Sequence, residues 1–168
     1  MNDFALMQRS SIAADSRRGS ARLQTTQVGP QSLVLRIEAR QFQTMWHAYS
    51  LHGGLASPDE VARRLRLRSE QPISVLARWI VARKIVNFVW QSQTLIPLFQ
   101  FELQDMSLRI SAVKAIAELT SVFDDWELAL WFVQANAWLR DIAPIDRIEE
   151  DEAAVLEAAR ADRFIARG

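Results

Sequence analysis

Residues 85–101 read IVNFVWQSQTLIPLFQF. β-Branched and aromatic residues flank the polar Gln91-Ser92-Gln93, so the stretch predicts two short strands with a tight connection, although no Asn-Gly pair marks the turn. Pro97 cannot donate to a strand ladder, so the second strand must be an edge strand there or be ending. This hairpin decides the fold, because the chain on either side of it reads as helix.

Immediately upstream, SPDEVARRL carries a strong helix-start signal. Ser57 is the expected N-cap, Pro58 takes the first helical position, and Glu60 completes a Ser-x-x-Glu capping box. Val61, Ala62 and Leu65 supply the buried face. After the polar break RLRSEQ, Pro72 opens a second helix expected to run to about Asn87. Ile73, Leu76, Trp79 and Ile80 share its predicted inner face, and Ser74, Ala77, Arg78 and Val81 the opposite one. Val81 and Ile85 make part of that outward face apolar.

Further upstream, residues 7–32 are rich in Ser, Thr, Gln, Arg and Gly and cannot offset the entropy of ordering, so 1–32 reads as a flexible basic tail. From Leu33 an apolar stripe of Leu35, Phe42, Met45 and Tyr49 predicts a helix that ends at Gly53-Gly54, a candidate dimerisation element. Downstream, helical spacing resumes from Asp105, with Ile110, Val113 and Ala117 on one side. DDWELALWFVQANAWL is apolar almost all round, as a central buried helix would be, with Asp124 as its N-cap. Pro144 breaks the pattern, and EEDEAAVLEAARADRFIARG forms a last helix.

The expected fold is therefore mainly α. A small winged helix-turn-helix over 55–101, two helices plus the hairpin, is followed by an all-helical domain over 102–168. Trp79, Trp126 and Trp131 read as core. Trp138, beside Asn136 and Arg140, reads as a half-buried interface aromatic.

Composition narrows the chemistry. There is no cysteine, which excludes disulfides and thiolate sites. No apolar run approaches the ~20 residues of a membrane span, and no apolar segment follows the first basic residues as in a signal peptide, so a cytoplasmic protein without a membrane partner is expected. His47 and His52 lack companions at metal-ligand spacing, the acids Glu149–Glu152 read as a solvated helix start, and no phosphate loop or nucleophile motif is present. The expectation is a protein without enzymatic activity, metal or cofactor. Charge is neutral overall but uneven: residues 1–56 carry net +3, 57–99 net +4 and 100–168 net −7. A basic front and an acidic back suit a polyanion at one end and a protein at the other.

A winged module lays its second helix in the major groove and rests its hairpin on the backbone. Ser74 and Arg78 face outward on that helix, with Arg68, Ser69 and Gln71 in the turn before it. Arg78 has the reach for guanine, while Arg64, Arg68, Arg83 and Lys84 suit phosphates and Gln91 and Gln93 the wing tip. The alternatives are arginines that are merely solvated, a stand-alone transcriptional regulator, and an interaction adaptor that no longer holds DNA.

LASPDEVARRL, ISVLARWIVARKIVNFVWQSQTLIPLFQF and DDWELALWFVQANAWLRDIAPIDRI together resemble antitoxin-like proteins in which a small helix-turn-helix precedes an Xre/MbcA/ParS-type toxin-binding domain. The resemblance covers about residues 55–168 and makes 102–168 the toxin-binding-like part. It implies a dimeric bacterial antitoxin that covers a partner toxin, often of the RES type that attacks NAD, and represses its own promoter. On that likeness Trp126, Trp131, Asn136, Trp138 and Leu139 shape the toxin-binding domain, and Arg163, Arg167 and Gly168 approach the toxin. Two departures stand out. Arg140-Asp141-Ile142-Ala143 replaces a Gly-Gly turn, implying a different loop path, and Ala82-Arg83 replaces a glycine after the second helix.

Overall fold

The structure is a computed structural model that describes residues 30–168. The expected basic tail lies outside the described residues up to position 29, and its last three positions already belong to the first helix, α1 (Pro30–Ser50).

The hairpin is present as β2 (Phe88–Trp90) and β3 (Gln93–Pro97), paired antiparallel with Trp90 opposite Gln93. Its loop is therefore Gln91-Ser92 rather than three residues, and both take left-handed backbone, φ 47° and 65°. Two left-handed residues form the turn whose twist matches paired strands, but each here carries a Cβ that crowds the following carbonyl. Replacing Gln91-Ser92 by Asn-Gly is expected to stabilise the protein by about 1–2 kcal/mol. The readout is a higher urea midpoint at unchanged slope; an unmoved midpoint would show that the turn is not strained.

A two-residue strand, β1 (Leu55–Ala56), pairs with the other side of β3, giving the order β1-β3-β2. β3 is thus the middle strand, and Pro97 is tolerated because the strand ends there: it faces Leu55 beyond the last β2 pair, Phe88 with Leu95. The chain then enters a 3-10 turn, Leu98–Gln100, in which Gln100 is 1% exposed. Its Oε1 accepts from Val86 N–H at 2.7 Å, and its Nε2 donates to Val86 O at 2.9 Å and to Pro97 O at 2.8 Å. One buried amide therefore ties the start of the hairpin to its end.

Between β1 and β2 lie α2 (Pro58–Leu65) and α3 (Pro72–Val81). Ser57 Oγ accepts from Glu60 N–H at 3.2 Å as a cap should, but the Glu60 carboxylate accepts from Arg64 at 2.7 Å, so the box is half formed. α3 stops short of Asn87 because Arg83 turns left-handed at φ 48° and Lys84 N–H closes onto Trp79 O at 2.9 Å. Leu76 is buried, but Ile73 is 70% exposed and leaves the inner face its spacing assigned. Ile85 does the reverse: it is buried in a small core with Val61, Leu65, Leu76, Ile96 and Phe101, not displayed on the outward face.

The larger core is built by α4 (Ile110–Leu119), α5 (Asp125–Val133), α6 (Pro144–Arg147) and α7 (Glu152–Ala166), with the end of α1 packed into it. α4 begins later than Asp105, because that side chain folds the preceding loop, accepting from Ser107 N–H at 2.9 Å and Ser107 Oγ at 2.6 Å. α5 opens with a full capping box between Asp124 and Glu127 and ends at Val133, short of the expected Leu139. There Asn136 Oδ1 accepts from Trp138 N–H at 2.9 Å and starts a 3-10 turn, Ala137–Leu139. In the following loop Arg140 and Asp141 adopt left-handed backbone, φ 58° and 61°. All described helices and strands together make a mainly α fold with one small antiparallel sheet.

Met45 and Tyr49 at the end of α1 are fully buried, and the Tyr49 hydroxyl donates to Ala129 O at 2.7 Å. Burial pushes this phenol well above the ordinary tyrosine range. Below pH ~10 both folded and unfolded chains keep the proton and the bond is intact. Above it only the unfolded chain ionises, so folding should lose up to about 1.4 kcal/mol per pH unit. Tyr49 is the sole tyrosine, so its tyrosinate absorbance is a direct readout. The band is expected to rise only with unfolding, and titration near pH 10 in the folded protein would contradict its burial.

Candidate nucleic-acid and partner interfaces

Helix, turn, helix and wing place a group of cations on one module, but the structure divides them by engagement. Arg64 donates to Glu60, and Arg68 donates to Asp105 Oδ2 at 3.1 Å. The Asp105 carboxyl is held below its ordinary range by the Ser107 hydroxyl first and the Ser107 amide next, with the charge of Arg68 adding to them. These two pairs are exposed and exchangeable, so phosphate could replace either carboxylate at small cost. In the turn, Ser69 Oγ accepts from Gln71 N–H at 3.1 Å, which fixes the loop, while the Gln71 side chain makes no cap bond.

Arg83 departs from its expected role as a phosphate contact. Its guanidinium donates to Thr120 O at 2.5 Å, Phe123 O at 2.8 Å and Asp125 Oδ1 at 3.0 Å. It therefore caps the end of α4, bridges to the first turn of α5, and locks the end of α3 to the helical half of the molecule. Arg78 and Lys84 are exposed and have no ion-pair partner among the described residues. Ser74 beside Arg78, and Gln91 and Gln93 at the wing tip, are exposed as expected. The outward face of α3 is partly apolar as expected, but through Val81 and Ile73, 84% and 70% exposed, rather than through Val81 and Ile85.

The helical half is organised around a residue that spacing did not reveal. Asp162 on α7 accepts from Trp131 Nε1 at 2.7 Å and Asn136 Nδ2 at 2.7 Å through one oxygen, and from Trp138 Nε1 at 3.0 Å through the other. Three donors from α5 and the turn after it thus converge on one carboxylate, which sets the position of Trp138. That indole is 58% exposed, and Phe164 and Ile165 on the last turn of α7 are 79% and 64% exposed.

The residues that the resemblance assigns to this half differ in what they offer a partner. Leu139 and Trp131 are core, and Trp126 is half-buried with its Nε1 donating to Gln41 Oε1 at 3.1 Å. Asn136 is buried and acts through Trp138. Arg163 is engaged by Glu118, and Arg167 donates to Ser121 Oγ at 2.9 Å, so both brace α7 against α4 and its C-terminal turn. Gly168 is exposed at the end.

His52 Nε2 lies 2.9 Å from Asp146 Oδ1, joining the turn after α1 to α6. Among the described residues no group of three or more His, Cys, Asp or Glu converges as a metal site would. None of the described helices is long and apolar enough to cross a membrane. Comparison with protein-family models, curated proteins and solved structures finds no match to this chain.

Proposed function

We propose that this chain is an antitoxin-like regulator that holds DNA through its winged module and a partner toxin, for instance of the RES type, through its helical half. The observation that carries the reading is the arrangement of α2, turn, α3 and wing with Arg78 and Lys84 unengaged beside them among the described residues. Arg78 is the base-reading candidate, and Lys84, Arg64 and Arg68 are the phosphate contacts. Trp138, Phe164 and Ile165, each more than half exposed, are the partner-facing candidates. Leu33, Val34 and Ile37, each at least 50% exposed on α1, suit a second copy of the chain.

Binding to DNA from upstream of its own coding sequence is expected to weaken steeply with salt. Arg78→Ala should relax sequence preference, whereas Lys84→Ala should weaken all sequences alike and lower the salt slope by about one. Unchanged discrimination in Arg78→Ala would remove it from the reading role. Co-expression with the neighbouring gene product tests the toxin half, and repeated failure to copurify would count against it. A second reading, an interaction adaptor without DNA, is favoured by the apolar Ile73 and Val81 on the outward face of α3.

A further inference from the structure

Where α1, the wing and α5 meet, a groove of about 580 Å³ opens, lined by Leu35, Glu38 and Ala39, by Val89, Trp90 and Gln91, and by Trp126. That volume is in the range of small-molecule sites, about 300–1,000 Å³. Its aromatic wall is rigid. Trp90 stacks on Phe42 at 4.4 Å and 7° and on Trp126 at 5.8 Å and 26°, and Trp126 meets Phe88 edge-on at 5.6 Å. A wall held in this way adds little ordering cost when a ligand arrives.

The chemistry of the lining is one-sided. Leu35 and Val89, 64% and 60% exposed, form apolar lips. The Trp126 N–H is already given to Gln41, so this indole offers π surface and no donor. Glu38 is the one ionisable residue of the lining, and no basic side chain joins it. Indole faces carry negative quadrupole potential, and the carboxylate adds a full negative charge. Glu38, the one charged group of the lining, repels an anion more strongly than the neutral Gln91 amide and Trp90 N–H attract it, and a neutral apolar molecule leaves Glu38 unused.

We infer that this groove binds a small hydrophobic organic cation, its apolar body between the lips and against the indoles, its ammonium facing Glu38. The inference does not rest on the DNA and toxin readings, although Gln91 belongs both to the groove lining and to the wing tip. The test is isothermal titration of the full chain with (4-phenylbutyl)trimethylammonium, against 5-phenylpentanol as the neutral and 5-phenylpentanoate as the anionic counterpart. The cation is expected to bind at least about tenfold more tightly than the alcohol, and the anion not to bind. Glu38→Gln should remove most of that preference while leaving alcohol binding and the urea midpoint unchanged. Equal affinity for cation and alcohol, or a preference untouched by Glu38→Gln, would overturn the inference. So would absence of cation binding at millimolar concentration, including the case in which sedimentation shows a dimer that Leu35→Glu dissociates and the groove is an interface between copies.

Discussion

Gln100→Ala is expected to destabilise the fold by about 3–5 kcal/mol, measured by urea unfolding. The side chain is 1% exposed, and its amide satisfies both polar groups of Val86 and the carbonyl of Pro97. Removing it strands one buried N–H and two buried carbonyls, each costing about 1–3 kcal/mol unless water enters the space. Gln100→Leu refills the volume without the bonds and should recover only a minor part of the loss. A cost below about 1 kcal/mol in both variants would mean that these backbone groups find other partners. Because the bonds join the two ends of the hairpin, the wing should loosen first, with faster amide exchange in β2 and β3 than in α7.

Asp162→Ala should cost about 2–4 kcal/mol and release the exposed Trp138 indole from its fixed position. Trp131 and Asn136 are 7% and 8% exposed, so their freed N–H groups have little access to water. Asp162→Asn is the informative companion. It keeps one oxygen but brings an N–H₂ against neighbouring donors, so it should recover only part of the loss. Near-UV circular dichroism reports the loss of fixed indole geometry, and the copurification assay reports the consequence for partner binding. If Asp162→Ala leaves both stability and the tryptophan signal unchanged, the carboxylate does not organise this surface.

Features whose parts lie close together in sequence were legible. The Ser57 cap, Pro58 at the head of α2, the Asp124 cap and the hairpin all depend on groups a few residues apart. The residues that organise the candidate interfaces were not, since their partners are distant: 14 residues for Gln100 and Val86, up to 42 for Arg83 and Asp125, and 24 to 31 for Asp162 and its donors. Arg83 reads as one more surface cation until the ends of α4 and α5 are seen beside it. The ends of α3 and of the loop after Leu139 were equally hidden, because arginine and aspartate take the left-handed conformation that glycine would have announced.

By itself, then, the sequence determined the mainly α class, the order of helix, turn, helix and wing, and the local caps. Alternation, periodicity and capping are short-range, so they survive in one dimension. Tertiary structure alone decided that β3 would be central, that Ile73 would face out and Ile85 in, and that Trp131, Asn136 and Trp138 would converge on Asp162. Those outcomes depend on which elements cover which faces and on where distant polar groups find partners, and no local pattern encodes either.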